Sequence, residues 1–283
     1  MSSPIARARS FLFVPASRPE RFAKALESGA GSVILDLEDA VPPEQKAQAR
    51  EHIAQQVATF TAPQLARTLV RINAHGSAWH DEDVRALKDW VSCGLAGVML
   101  PKSEAPAVLM SLADMLGAST ELVPLVESLA GLDAVDLLAR APQVARLAFG
   151  HLDFQLDLGM RCSGDESELA SVRFALVAAS RRAQIAAPID GVTVDTSDAG
   201  RTKADVERAR AFGFGAKLCI HPSQVAAVEE VLAPSAKELD WARRVVAQAN
   251  ARNGEAFSLD GKMVDLPVVR LAQQLLLRNE TSA

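Results

Sequence analysis

The stretch Leu147-Ala148-Phe149-Gly150-His151-Leu152-Asp153-Phe154 (LAFGHLDF, residues 147–154) determines how the rest of the chain is interpreted. Its apolar first half predicts a short buried strand, after which Gly150 allows a sharp turn. Asp153 then lies just past the carboxyl end of that strand. An earlier apolar run ends in the same way at Glu127, 26 positions before Asp153. This interval is about one strand–helix unit of a (β/α)₈ barrel, whose eight units take about 250 residues.

Apolar runs alternate with segments of helical period along most of the chain, which is typical of a parallel sheet. The predicted strands are residues 10–15, 32–36, 68–72, 97–100, 122–126, 145–149, 189–194 and 215–220. The helices predicted between and after them are residues 19–28, 43–58, 81–91, 104–116, 132–139, 166–186 and 203–212, and one that begins near residue 222.

Eight such strands favour an α/β fold of the TIM-barrel type, a closed (β/α)₈ barrel over residues 1–232. An open doubly wound sheet is the alternative. That fold usually has a glycine-rich turn after its first strand, and residues 14–18 (VPASR) contain no glycine. Residues 233–283 are predicted to form a C-terminal extension with helices over 237–249 and from 267, and a short strand over 257–259.

The composition is that of an ordinary globular protein, with 283 residues, 49% of them hydrophobic and 23% charged. A formal net charge of −5 argues against nucleic-acid binding, which needs a basic surface. The three cysteines are odd in number and lack metal-site spacing, which favours a reducing compartment. No uncharged apolar run approaches the roughly 18 residues of a membrane span. We therefore expect a cytoplasmic protein with no membrane association and a small-molecule substrate.

Glu127 and Asp153 end neighbouring predicted strands, and the carboxyl ends of barrel strands converge on one site. Two carboxylates there suit a hard divalent cation that keeps several waters, with Mg²⁺ first and Mn²⁺ as the alternative ion. In the competing interpretation, each acid is only a solvated or helix-capping residue.

Three further acids, Asp36, Glu38 and Asp39, follow the second predicted strand. They would repel one another unless a cation is present, so we interpret some of them as holding metal-bound waters; pairing with nearby arginines is the alternative. Arg71, near the end of the third strand, is a planar donor suited to a carboxylate or an enolate oxygen. It could instead, or in addition, form a salt bridge with Glu38 or Asp39. His221 precedes a proline and is interpreted as structural.

Several motifs in order along the chain resemble those of one family. They are FVPA with Arg18-Pro19 (residues 13–19), LDLEDAV (35–41), VRIN (70–73), PK (101–102), the acid Glu127, FGHLDF (149–154), IHPSQ (220–224) and DGKMVD (260–265). This set resembles citrate lyase β subunits and the related malyl-CoA and citramalyl-CoA lyases of the HpcH/HpaI aldolase superfamily. One departure is Ala16, where the family commonly has glycine.

The resemblance implies a homotrimer, or a hexamer as its multiple, that uses Mg²⁺ and a CoA thioester. It implies Glu127 and Asp153 as metal ligands and Arg71 as a ligand for substrate oxygens. Asp265 then lies on a C-terminal lid that covers the active site of a neighbouring subunit. The remaining predicted site residues are Asp36 as a catalytic group, Arg18 and Lys24 for the CoA phosphates, and Glu38, Asp39 and Gly150 around the substrate.

The predicted reaction is cleavage of a carboxylated 3-hydroxyacyl-CoA, of the malyl-, citramalyl- or citryl-CoA type, to acetyl-CoA and a 2-oxo acid. Asp265 serves as general acid/base, although it could merely cap the helix that starts near Pro267. The alternatives are a metal-dependent aldolase that acts on free 2-oxo acids and a β subunit that works only within a citrate lyase complex.

Overall fold

The structure is a computed structural model that describes residues 3–252 and 255–280, with the side chains of 278–280 excepted. The chain separates into two compact units, Met1–Leu232 and Ala233–Ala283. No helix within the described residues is both long and apolar enough to cross a lipid bilayer.

The first unit is a closed barrel of eight parallel strands in which β8 pairs with β1. The strands are β1 Ser10–Pro15, β2 Ser32–Asp36, β3 Thr68–Arg71, β4 Gly97–Leu100, β5 Glu121–Val126, β6 Ala148–Phe149, β7 Ile189–Asp190 and β8 Ala216–Cys219. The predicted (β/α)₈ barrel is therefore confirmed.

The short helix α1 precedes β1, and the other helices follow the strands and surround the barrel. They are α1 Pro4–Arg7, α2 Phe22–Leu26, α3 Lys46–Val57, α4 Ala62–Leu65, α5 His80–Ser92, α6 Pro106–Leu116, α7 Leu129–Asp133, α8 Val135–Ala139, α9 His151–Leu158, α10 Ala170–Ala183, α11 Ala199–Phe212 and α12 Val225–Leu232. Single turns of 3-10 helix over Pro19–Arg21, Pro43–Gln45, Ser167–Leu169 and Pro222–Gln224 each lead into an α-helix.

The sequence interpretation was wrong in one region next to the site. Residues 150–165 were expected to form a loop, but α9 begins directly after Gly150 and ends at Gly159, which is left-handed (φ 65°). Asp153 therefore lies in the first turn of a helix. The helix has only eight residues and buries only His151 and Phe154, so its apolar period is too short to identify.

Apolar side chains fill the barrel interior and also the layer between the barrel and its helices. The interior cluster includes Phe11, Ile34, Leu69, Met99 and Val123 from successive strands. Ile5 of α1 joins this cluster, and a side chain at Gly97 would place its Cβ 2.7 Å from Ile5 Cδ1. The short helix α1 thus closes the end of the barrel opposite the carboxyl ends of the strands.

Arg146 holds this closed end together. Its Nη1 donates to the carbonyls of Ala8 (2.7 Å) and Ile5 (3.2 Å), and its Nε donates to the carbonyl of Ala187 (2.9 Å). The guanidinium also lies over the ring of Phe11. Burial lowers the pKa of Arg146 to about 9, so it remains charged at neutral pH.

We expect Arg146→Met to lower the free energy of unfolding by about 3 kcal/mol, because buried carbonyls left without donors cost ~1–3 kcal/mol each. Denaturation in urea measures this change. Arg182→Met, which breaks an exposed ion pair with Asp136, is the control and should cost less than ~1 kcal/mol. Equal losses in the two variants would contradict the role given to Arg146.

The second unit consists of α13 Ala236–Ala251, a hairpin of β9 Phe257–Leu259 and β10 Lys262–Val264, and α14 Leu266–Glu280. Its own apolar cluster includes Val245, Phe257, Val264 and Ala272. The sequence predicted the helices and β9 but not β10, which is only three residues long and buries only Val264.

Candidate active site

Asp36 and Arg71 are the last residues of β2 and β3 and lie opposite each other in the register of the barrel. Arg71 Nε donates to Asp36 Oδ1 (2.6 Å) and Nη2 donates to Oδ2 (2.7 Å), so the pair is bidentate. Asp36 also accepts the backbone N–H of Glu38 and of Ala40. These contacts favour a positioning role for Asp36, which was predicted to be catalytic, because both of its oxygens are engaged by protein groups.

The third guanidinium nitrogen, Nη1 of Arg71, lies 2.9 Å from Glu38 Oε2 and 3.4 Å from Asp39 Oδ2. The salt bridges considered from the sequence are therefore present, and they leave open whether Arg71 also binds substrate. Although burial alone would lower the pKa of Arg71, the charge of Asp36 and its neighbours raises it. Arg71 is thus a permanent cation at the mouth of the barrel.

Two buried carboxyl groups nearby have raised pKa values. Burial, opposed by Arg71 and reinforced by Glu127 and Asp39, raises the pKa of Glu38 to about 8. Burial, opposed by the N–H of Lys102 and reinforced by Asp153, raises the pKa of Glu127 to about 7. The carboxyl groups that follow β2, β5 and β6 therefore repel one another, in agreement with the prediction that these strand ends converge on one site. A bound cation would relieve this repulsion.

Glu127 is fixed from two sides. Its Oε1 accepts the backbone N–H of Lys102 (2.7 Å), which points inward because Lys102 adopts a left-handed conformation (φ 44°) that is unusual for this residue type. On the other side, the carboxylate lies directly against Gly150, where an added Cβ would come within 2.6 Å of Glu127 Cβ and closer still to Oε2. Glycine is thus needed at position 150 because it has no side chain. Its backbone conformation does not require glycine, since a φ of −93° is accessible to other residues.

These residues fit a magnesium ion. Across 3–252 and 255–280, no group of three or more His, Cys, Asp or Glu side chains could hold a metal by themselves. Mg²⁺, however, commonly binds through one or two carboxylates and completes its shell with water. The candidates for such a pair are Glu127, which lies against Gly150, and the partly exposed Asp153 at the start of α9, whose charge adds to burial in raising the pKa of Glu127.

Lys46, which the sequence interpretation missed, shapes the acidic loop after β2. Its buried Nζ donates to the carbonyls of Leu37 and Glu38 and to Asn73 Oδ1, each at 2.7 Å. Asn73 is held in turn by Asp83, which accepts both its backbone N–H (2.8 Å) and its Nδ2 (2.6 Å). No local pattern could reveal these contacts, because the partners are up to 27 positions apart.

The other predicted residues have local contacts of their own. Arg18 follows β1 and pairs with Glu20 (2.6 Å) while half exposed, and Lys24 is exposed on α2. His221 forms a capping box with Gln224 at the start of the turn that leads into α12, as its structural interpretation predicts. Asp265 lies in the second unit, where its Oδ1 accepts the N–H of Val268 (3.4 Å) in the first turn of α14. The capping role considered for Asp265 is therefore present.

Comparisons with known proteins give a consistent result. A model of the HpcH/HpaI aldolase/citrate lyase family matches residues 9–222. The chain is 36% identical to a citrate lyase subunit beta-like protein of Deinococcus radiodurans, over 98% of this chain and 99% of that protein. It is 31% identical to an L-malyl-CoA/beta-methylmalyl-CoA lyase of Cereibacter sphaeroides, over 96% of this chain and 94% of that enzyme.

Among solved structures, the protein CitE of Mycobacterium tuberculosis in complex with magnesium, acetoacetate and coenzyme A has a TM-score of 0.82 and 34% identity. The match covers 97% of this chain and 99% of that one. The resemblance predicted from the motifs is thereby confirmed. The chain belongs to the HpcH/HpaI aldolase/citrate lyase family.

Proposed function

We propose that this protein is a Mg²⁺-dependent lyase that cleaves a carboxylated 3-hydroxyacyl-CoA to acetyl-CoA, or propionyl-CoA, and a 2-oxo acid. The observation that carries the proposal is the buried Glu127, fixed by Lys102 and Gly150 and coupled to Asp153 and Arg71. The relatives add support, since one is named as a malyl-CoA lyase and the similar CitE binds magnesium and coenzyme A.

Glu127 and Asp153 hold the metal ion in this proposal, and Glu38 and Asp39 orient water beside it. When bound, Mg²⁺ supplies Lewis-acid polarisation of the substrate's carboxylate and hydroxyl oxygens. Mn²⁺ has similar ligand preferences and can replace it. Either ion would stabilise the ionised forms of the carboxyl groups at this mouth, whose burial and mutual repulsion raise their pKa values.

Arg71 stabilises the negative charge that develops on the thioester oxygen as the carbon–carbon bond breaks. Asp36 engages its Nε and Nη2, so the substrate oxygen approaches Nη1, which it shares with Glu38 and Asp39. A guanidinium that is already held in place does not have to reorient when charge develops in the transition state. Such fixed donors therefore lower the activation free energy more than mobile ones.

Asp265 delivers the proton that converts the resulting enolate into the acyl-CoA product. It does so from the C-terminal unit of a neighbouring copy, which serves as a lid, in a homotrimer or a hexamer. A cyclic assembly repeats the same contact at every subunit, so each barrel receives one lid. Arg18 and Lys24, after β1, bind the CoA phosphates.

The test of this proposal is a panel of malyl-, citramalyl- and citryl-CoA incubated with the purified protein, with Mg²⁺ or with EDTA. We expect at least one thioester to yield an acyl-CoA and a 2-oxo acid, and EDTA to stop the reaction. Cleavage of a free hydroxy acid without a thioester would favour the aldolase alternative. Activity that requires added citrate lyase subunits would favour a role within that complex.

Gly150→Ala is expected to weaken Mg²⁺ binding by about tenfold or more, because the new methyl group displaces the Glu127 carboxylate from its fixed position. Isothermal titration calorimetry measures the dissociation constant. Gly164→Ala is the matched control, since a Cβ there meets only Arg201 Nη1 at 3.8 Å. Unchanged Mg²⁺ affinity in Gly150→Ala would show that the close approach to Glu127 is irrelevant to the metal.

A further inference from the structure

A chain of alternating charges runs through the barrel wall from β8 to α9. Lys217 Nζ lies 3.2 Å from Asp190 Oδ2, and Asp190 Oδ1 accepts Arg173 Nε at 3.1 Å. Arg173 Nη2 pairs with Glu166, and the other oxygen of Glu166 lies 3.3 Å from His151 Nε2. These five residues, which we call the charge ladder, come from β8, β7, α10, the loop before α10, and α9.

The charge ladder is buried along its length. Lys217, Asp190, Arg173 and His151 are each at most 3% exposed, and the side chain of Glu166 is 13% exposed. Burial alone would raise the pKa of Glu166, but the hydrogen bonds from His151 and Arg173 hold it well below its usual range. Glu166 is therefore ionised, and the buried charges of the ladder compensate one another in pairs.

Glu166 is locked in place by more than this ladder. Its backbone is left-handed (φ 52°), its carbonyl accepts Arg173 Nη1 (3.3 Å), and its carboxylate also accepts Arg208 Nη2 from α11 (3.0 Å). A non-glycine residue keeps such a conformation only where its surroundings enforce it. Glu166 is thus fixed by several contacts, and its carboxylate in turn fixes the position of the His151 ring.

His151 is one of only two buried side chains of α9, the other being Phe154. Its ring lies against the Cα of Gly191, where a Cβ would overlap Nδ1. The opposite side of the helix is open, with Leu156 80% exposed. The orientation of this short helix therefore depends on these two buried side chains and on Asp157, whose Oδ2 accepts the backbone N–H of Leu129 (2.8 Å). The buried polar anchor, His151, is two residues from Asp153 in the same helical turn.

We propose that the His151–Glu166 pair is a positioning device that fixes the first turn of α9 and thereby aims the Asp153 carboxylate at the metal. This inference rests on the proposed function, because it needs Asp153 as a metal ligand. The charge ladder serves as the rigid support that connects this turn to the barrel wall. In this proposal the members of the ladder are positioning residues that act through α9.

Titration of the full-length protein with Mg²⁺ by calorimetry tests the proposal. His151→Leu removes the donor to Glu166 at similar volume, and we expect the dissociation constant for Mg²⁺ to rise by about 10-fold to 100-fold. His151→Gln places an amide nitrogen near the position of Nε2, and we expect it to restore affinity to within about threefold of wild type. Rescue by Gln distinguishes a directed hydrogen bond from simple filling of space.

Glu166→Gln tests the same contact from the other side and decides the matter if His151→Leu does not fold; the affinity should again fall. Ile53→Ala, a buried residue of α3 on the opposite side of the barrel, is the control for general loss of stability. It should lower the melting temperature and leave Mg²⁺ affinity unchanged.

A dissociation constant within twofold of wild type in a folded His151→Leu or Glu166→Gln protein would overturn the positioning role, as would an equal loss of affinity in Ile53→Ala. These results differ from failure of the proposed function itself. If the wild-type protein binds no Mg²⁺, the metal site is wrong; if it binds Mg²⁺ and the variants match it, only the role of His151 and Glu166 is wrong.

Discussion

Glu127→Gln is expected to abolish measurable Mg²⁺ binding and to lower kcat/KM for the thioester substrate by about 10³-fold, since metal polarisation contributes several kcal/mol and each 1.36 kcal/mol is tenfold. The substitution keeps the size of the side chain and its acceptor for the Lys102 N–H. It removes the negative charge and one of the two carboxylates that the proposal assigns to the ion.

Stability should respond in the opposite direction. Burial and the charge of Asp153 both raise the pKa of Glu127, which shows that its ionised form is disfavoured in the folded protein without metal. A neutral amide removes that repulsion, so the metal-free variant should melt no lower than the wild type. If Glu127→Gln loses activity but keeps its stability, the loss comes from the missing metal ligand and not from unfolding.

Glu104→Gln is the matched control for Glu127→Gln. Glu104 also follows a barrel strand, and its Oε1 accepts Ser128 Oγ at 2.6 Å, a bond that the amide oxygen can keep. Its activity should stay within about twofold of the wild type, as for most substitutions away from a working site. If Glu127→Gln turned over as fast as Glu104→Gln, Glu127 would not be a ligand of a catalytic metal.

Asp265→Asn is expected to lower kcat by about 10²-fold to 10⁴-fold, the usual contribution of a general acid or base. Asparagine keeps an oxygen that can cap α14 at Val268, so the helix start is preserved. Mg²⁺ affinity should be unchanged, because the metal ligands belong to the barrel. Near-normal turnover would mean that Asp265 is a helix cap and nothing more.

Mixing the two inactive variants tests whether Asp265 serves a neighbouring copy. In a randomly mixed assembly, about a quarter of the sites would combine an intact barrel with an intact lid from another subunit. We therefore expect activity to return to about a quarter of the wild-type level after Glu127→Gln and Asp265→Asn are unfolded and refolded together. Each variant refolded alone is the control and should stay inactive. No recovery in the mixture would place Asp265 in its own subunit's site or in none.

The sequence predicted the parts of the fold that depend on local pattern. The bounds of β1, β2 and β4 agree with the predicted ranges, because each is a compact apolar run bounded by turn residues. β6 and β7 are shorter than predicted, since β6 lacks residues 145–147 at its start and β7 lacks residues 191–194 at its end. α9 was missed because its four apolar residues alternate with polar ones, a spacing that does not indicate a helix.

The sequence predicted which residues of the candidate site lie at the ends of strands. It did not predict contacts between residues that are far apart in the chain. Asp36 and Arg71 could be placed at the mouth from strand ends alone, but their bidentate pairing depends on the register between β2 and β3. The N–H of Lys102 that binds Glu127 comes from a residue with a left-handed backbone, and a lysine in the sequence does not predict that conformation. Glu166 lies in a polar segment, and nothing near it in the sequence indicates a bond to His151.

The most direct test of the metal site is anomalous scattering from crystals of the protein soaked in Mn²⁺, which stands in for Mg²⁺ and can be located by its own signal. The account predicts one strong peak about 2 Å from a carboxylate oxygen of Glu127 and of Asp153, with water completing its shell. A peak that contacts neither residue, or no peak at an Mn²⁺ concentration that supports turnover, would contradict it.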